Sequence, residues 1–305
     1  MMNIYTTESE RIVNSGLLTA DYFNEEIKCD FLVNTQRKKI WAVLLDLLLM
    51  FDSVCKKYGL TYYLIEGSLL GAVRHHGFVP WDDDIDVAMP REDYNRFMDL
   101  SDEFVYPYFL QTPYTDEGNY LSFIKLRNTN TTGMSEVFKY QPINHGLFID
   151  IFPLDKWELD DGEERYEHIK SLIIDVSTYM RMSHPNLDEK NLVRVREYSG
   201  HNPMDTYEAI QKYATEFSNV ETEYVCLAVC TYYDYKRHLY FKEDFKSVVY
   251  TDFEGFSFPI PVGYDRILKT TYGDYTLFPP IHERGLRHDD IIFDPDTPYK
   301  DYLDK

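Results

Sequence analysis

The sequence predicts an α/β (α+β) fold, a small mixed β-sheet flanked by helices. Three observations carry that expectation. Apolar residues recur at helical spacing at Ile40, Val43, Leu44, Leu47, Leu48 and Phe51. Short apolar runs with strand character, such as residues 61–66 (TYYLIE) and 147–152 (LFIDIF), alternate with helical stretches. The 305 residues are 44% hydrophobic and 16% aromatic, enough apolar surface to build a large core and to exclude wholesale disorder.

Residues 1–36 are mixed and polar and read as an N-terminal arm with a short helix. The periodic helix follows and stops at Tyr58-Gly59, where glycine tolerates a left-handed terminus. Residues 61–66 form a buried strand, Gly67-Ser68 breaks it, and 69–75 make a short helix. Pro80 marks 77–81 as a turn. Residues 84–89 (DIDVAM) alternate like a strand, Pro90 ends it, and 91–100 read as a helix. Further strands are expected at 108–111, 121–127 and 147–152. Helices are expected at 160–182 and 205–219, with 184–203 as a loop or subdomain boundary between them. A strand pair surrounds Glu254-Gly255 (248–253 and 256–260), and 263–272 is a short helix. The proline-containing tail from Phe278 is expected to be ordered only by packing on the body. The implied organisation is an arm (1–36), a core (37–155), and helical middle and C-terminal segments packed on it (156–305).

Fifty-two acidic against 31 basic residues give a net charge of −21, which repels polyanions and excludes general nucleic-acid binding. A phosphate-bearing substrate must therefore be small or met by local cations. Cys29, Cys55, Cys226 and Cys230 include no CxxC pair; Cys226 and Cys230, read as one helical turn apart, are expected to be buried thiols. The first residues lack a signal-peptide core, and no run approaches the roughly 20 apolar residues of a membrane span. The expectation is a reduced cytoplasmic protein without an integral membrane segment, able to sit at the inner face of a membrane.

Chemistry concentrates in residues 62–90. Asp82, Asp83, Asp84 and Asp86 crowd into five positions. An acidic run is usually a solvated face, but this one interleaves with Ile85 and Val87. In a strand, Asp84 and Asp86 share one face about 7 Å apart while the apolar residues point into a core. A divalent cation between two such carboxylates would relieve their repulsion. Asp150, inside LFIDIF, is costly in a strand unless paired or ligated. Asp155 reads as a loop residue or helix cap. Gly67-Ser68 sits at a strand–turn–helix corner, where backbone N–H groups can receive phosphate.

Gly-Ser, then Asp-x-Asp, then a later strand aspartate resembles the nucleotidyltransferase superfamily core. More specifically, EGSLLGAVRHHGFVPWDDDIDVAMPREDYNRF is similar to the LicD family signature. The resemblance extends to FIKLRNTNTT, GLFIDIFPLD and FPIPVGYDRILKTTYGDY. It implies a nucleotidyltransferase-like sheet and a phosphotransferase. Such an enzyme moves a substituted phosphate, phosphocholine first, from a CDP-linked donor to a sugar of a surface glycan, teichoic acid or lipooligosaccharide. Fukutin-type relatives move ribitol phosphate. The family's carboxylates map onto Asp84, Asp86 and Asp150, as holders of Mg2+ (or Mn2+) and as the catalytic acids. Glycerol phosphate and phosphoethanolamine as cargo, a true nucleotidyltransferase releasing pyrophosphate, and a non-catalytic metal-binding module are the competing readings.

Gly67, Ser68, Arg74, Lys125 and Arg127 are the expected contacts to donor phosphates, the last two sharing one strand face. Choline needs aromatic faces, and Trp81, beside the acids, is the first candidate. His282 and His288 are candidates on the acceptor side.

Overall fold

The computed structural model describes residues 7–230, 235–285 and 291–303. Helix α1 (Glu8–Asn14) is capped by Thr7 and is followed by the hairpin β1 (Glu26–Lys28) and β2 (Phe31–Val33). The arm lies against the core: Ile12 is fully buried, and the Glu8 carboxylate accepts hydrogen bonds from the Asn128 and Asn130 amides at 2.9 and 2.8 Å.

The predicted long helix is α2 (Thr35–Tyr58). Asn34 caps its start by accepting the Arg37 N–H, and Gly59 closes it with φ +63°. Its apolar residues are buried on nearly all sides, from Trp41 to Phe51, because it lies between the sheet and the arm. The next elements are β3 (Tyr63–Leu64), α3 (Glu66–His75), β4 (Asp86–Pro90), α4 (Arg91–Met98), β5 (Tyr108–Gln111), β6 (Ile124–Asn128), β7 (Thr132–Ser135) and β8 (Leu147–Trp157). Then come α5 (Gly162–Met180), α6 (Glu189–Tyr198), α7 (Pro203–Ala214), β9 (Tyr224–Cys226), β10 (Leu239–Phe241), β11 (Val248–Phe253), β12 (Phe256–Pro261), α8 (Tyr264–Tyr272), β13 (Ile291–Asp294) and α9 (Lys300–Leu303).

One mixed sheet organises the molecule. β8 pairs parallel with β4 and antiparallel with β6; further along, its end pairs with β9, which pairs with β10. β3 and β5 close the two sides on β4 and β6. The α+β class expected from the sequence is the class observed.

Several local expectations are corrected. The stretch 184–203 is not all loop: α6 occupies half of it, capped by the Asp188 carboxylate accepting the Asn191 N–H. Asp155 is neither a loop residue nor a cap. β8 runs on through Pro153 to Trp157, because its Pro153-to-Trp157 stretch gains β4 and then β9 as partners. Cys226 ends a strand, so Cys226 and Cys230 are not a helical pair, although both are buried. The tail contributes regular structure: β13 pairs antiparallel with β7.

Candidate functional site

The strand–turn–helix corner is built by β3, α3 and β4. The Ile65 N–H donates to the Asp86 carbonyl at 3.1 Å, and the Asp86 N–H donates to the Ser68 hydroxyl at 2.9 Å. Glu66 opens α3 with φ +48°, a left-handed conformation for a non-glycine residue. Gly67 permits a close approach: a Cβ there would stand 2.5 Å from Asp82 Oδ2. On the other side, the Asp150 N–H donates to the Ile85 carbonyl at 2.9 Å, which brings β8 alongside the acidic run.

A cavity of about 650 Å³ opens at this corner. Asp84, Asp86 and Asp150, the three carboxylates expected from the sequence, all line it, joined by Asp82 and Glu66. Ile85 and Val87 are fully buried behind them, so the alternation read from the sequence holds. Asp86 and Asp150 are register partners on parallel strands. Burial first, then the charges of Asp84, Asp150, Glu66 and Asp82, pushes the Asp86 carboxyl well above the usual range. Among the described residues, the acidic trio whose oxygens come within 4.8 Å of one another is Asp82, Asp83 and Asp84. Asp83 is 1% exposed and is absent from the cavity wall, so the wall itself offers Asp82, Asp84, Asp86 and Asp150. Hard oxygen donors around a carboxyl whose ionisation is opposed by its neighbours suit a divalent cation.

The predicted cations divide. Lys125 and Arg127 share the cavity face of β6, as alternation requires. The Lys125 ammonium lies 2.5 Å from Asp150 Oδ1 and 3.5 Å from the centre of the Phe148 ring. Arg127 donates to Gln111 Oε1 at 2.5 Å and to the Gly146 carbonyl at 2.6 Å, and burial brings its guanidinium down to about 10. Arg74 is not on the cavity wall; it donates to the carbonyls of Tyr275 and Leu277 at 2.8 and 3.0 Å. Ser68 is also off the wall, its hydroxyl engaged with β4. Trp81 lines the cavity, 3% exposed, with the Arg284 guanidinium 5.0 Å from its ring centre. His282 is exposed beside Glu283 and away from the wall. His288 lies outside the described residues.

Sequence reasoning missed Glu66, His145, Arg237 and Tyr272, all on the wall. Glu66 stood next to Gly67-Ser68 and carried a readable signal, an acid at a strand end before a glycine. Arg237 and Tyr272 carried none as site residues, since they reach the cavity from the C-terminal half. The rest of the wall includes apolar and aromatic residues, among them Phe123, Phe138, Phe148, Ile143 and Met180.

Residues 59–185 match the family described as LicD/FKTN/FKRP, nucleotidyltransferase domain. They are a LicD-family domain. The similarity runs further than this domain. The chain is 27% identical over 258 residues to the lipopolysaccharide cholinephosphotransferase LicD of Haemophilus influenzae, covering 81% of this chain and 93% of that protein. Two uncharacterized Rickettsia proteins match short stretches. One, from Rickettsia typhi, is 42% identical over 48 residues, 16% of each chain; the other, from Rickettsia prowazekii, is 39% identical over 59 residues, 19% of this chain and 20% of that protein. The LicD-family domain contains the Gly67 corner, the acidic run and Asp150, and it ends before Arg237 and Tyr272. Among the described residues, no helix is long and apolar enough to cross a membrane.

Proposed function

We propose that this protein is a metal-dependent transferase that moves phosphocholine from a CDP-linked donor to a sugar hydroxyl of a lipopolysaccharide-type glycan precursor, releasing CMP. The observation that carries the reading is one cavity lined both by converging carboxylates and by phenylalanine rings. Similarity to a protein named as a lipopolysaccharide cholinephosphotransferase, across 93% of its length, supports it. The aromatic wall favours a quaternary ammonium, which cannot form hydrogen bonds, over ribitol or glycerol phosphate, whose hydroxyls need polar partners.

Asp84 and Asp86, with Asp82 beside them, would hold the cation, Mg2+ in this reading. Bound there, it supplies charge neutralisation for the pyrophosphate and the leaving group. Gly67 leaves room for the Asp82 carboxylate, which stands where a side chain would be. Asp150, fixed by Lys125, accepts the proton of the sugar hydroxyl. The hydroxyl oxygen forms the new bond to the choline-bearing phosphorus as the bond from that phosphorus to CMP breaks. Trp81 and the phenylalanines surround the cargo and exclude water. A cytoplasmic location, at the inner face of the membrane, belongs to the same reading.

The test is incubation of the full chain with a panel of CDP-alcohols, Mg2+ and a lipopolysaccharide acceptor, measuring CMP. CMP release with CDP-choline, abolished by chelation, is expected. Pyrophosphate release from a nucleoside triphosphate instead would overturn the proposal in favour of nucleotidyl transfer.

A further inference from the structure

The LicD-family domain brings four acids of the 82–86 run and Asp150 near one another, yet a nucleoside diphosphate donor is itself an anion. The domain's own wall cations are engaged inside the sheet, Lys125 with Asp150 and Arg127 with Gln111 and the Gly146 carbonyl. A third cation reaches the same cavity from outside the domain, the guanidinium of Arg237. It comes from the helical turn Tyr235–His238, which leads directly into β10.

Two contacts orient it. One Arg237 nitrogen lies 3.5 Å from Glu66 Oε2, and the guanidinium carbon sits 5.0 Å from the centre of the Tyr272 ring. Tyr272 is the last residue of α8 and also lines the cavity. Glu66 is held in turn: Tyr240 donates its hydroxyl to Glu66 Oε1 at 3.0 Å, and the neutral ring of His238 lies 3.8 Å away. Burial keeps His238 low, at about 4, so that near neutral pH it adds no second positive charge. The guanidinium thus has the Glu66 carboxylate and the Tyr272 ring beside it, on the cavity wall shared with Asp84 and Asp86. Arginine's planar fork presents several N–H donors at once, which suits a phosphate better than a point charge does.

We propose that Arg237, steered by Glu66 and Tyr272, is the donor-phosphate contact of this site, taking a diphosphate oxygen of the nucleoside diphosphate. The assignment rests on the functional reading above. It makes the site a joint product of the LicD-family domain and the C-terminal half. The domain supplies the carboxylates, and the C-terminal half supplies the cation that lets an acidic cavity accept an anion.

The experiment compares native protein, Arg237→Ala, Arg237→Lys and Tyr272→Phe as full chains. CDP and inorganic pyrophosphate are titrated calorimetrically with Mg2+ present, donor KM and kcat are measured with CDP-choline, and thermal midpoints are recorded. Loss of a charged hydrogen bond weakens binding by about 10- to 100-fold. Arg237→Ala is expected to lose that much affinity for both CDP and pyrophosphate and to raise donor KM more than it lowers kcat. Arg237→Lys should fall in between, and Tyr272→Phe, which keeps the ring but loses the hydroxyl, should fall between native and Arg237→Ala. An Arg237→Ala affinity within about two-fold of native would overturn the assignment. So would equal losses in Ala and Lys variants that track a lowered thermal midpoint, since that pattern marks a structural role. Native protein that binds CDP through Arg237 but releases no CMP from any CDP-alcohol would sink the functional reading alone.

Discussion

Asp86 and Asp150 stand directly opposite each other, in register, on the adjacent parallel strands β4 and β8. Residues so paired are about 4.8 Å apart at the backbone and project to the same face. Two carboxylates from distant parts of the chain therefore enter one cavity, with Asp84 beside them. Asp150 is balanced by Lys125, whereas Asp86 faces mainly other acids. Asp86→Asn should remove that repulsion and raise the thermal midpoint of metal-free protein. It should also lower transferase activity by at least about 100-fold, the scale of a lost transition-state charge contact. Thermal unfolding and CMP release on the same preparation check both, and a variant that is less stable and equally active would contradict the arrangement.

Metal and pH should act together on the same group. The folded-state pKa of Asp86 is raised, so its contribution to stability is fully present below the ordinary carboxylate value. That contribution is lost as pH rises through the raised value. A bound divalent cation reverses the penalty by favouring the ionised form. Mg2+ should therefore stabilise the protein more at pH 8 than at pH 5, and this difference should shrink in Asp86→Asn. Differential scanning fluorimetry with Mg2+ or EDTA at the two pH values measures it.

Buried and half-buried histidines act with the opposite sign. His75, His145 and His238 are each lowered to about 4, by burial first and then by a neighbouring arginine. Their stabilisation is present above the unfolded value near 6.5 and is lost as pH falls toward 4. In the Asp86→Asn background, where the opposing contribution is gone, urea-unfolding stability should drop between pH 7 and pH 5. Replacing His145 with Gln should flatten that slope.

Gly67→Ala separates site geometry from folding. The new Cβ would lie 2.5 Å from Asp82 Oδ2, the far end of a side chain that can move. Stability should change by no more than about 1 kcal/mol, while the displaced carboxylate should cost activity and Mg2+ affinity. Circular dichroism melts with CMP assays distinguish the two effects.

Behind the sheet, Arg91 donates two hydrogen bonds to the buried Asp155 carboxylate, at 2.6 and 2.8 Å, and a third to Gln211. Asp155→Ala strands a buried guanidinium and should destabilise the protein by about 3–5 kcal/mol. A double replacement by apolar residues, Arg91→Met with Asp155→Leu, should recover much of that loss in urea unfolding.

Periodicity and alternation are local, so the sequence alone determined the long helix through Ile40–Phe51 and its end at Tyr58-Gly59, the facing of Asp84 and Asp86, the shared face of Lys125 and Arg127, and the α+β class. The LicD resemblance was equally local, carried by residues contiguous in the chain. Only the tertiary structure decided that β8 continues through Pro153 to Trp157, that the tail adds a strand to β7, and that Arg74 turns toward the 275–277 carbonyls rather than the cavity. It also decided that Glu66, Arg237 and Tyr272 meet there. Such features depend on which strand partners and which unlike charges lie nearby once the chain is folded, and a contact across 171 residues, as between Glu66 and Arg237, leaves no periodic trace in the sequence.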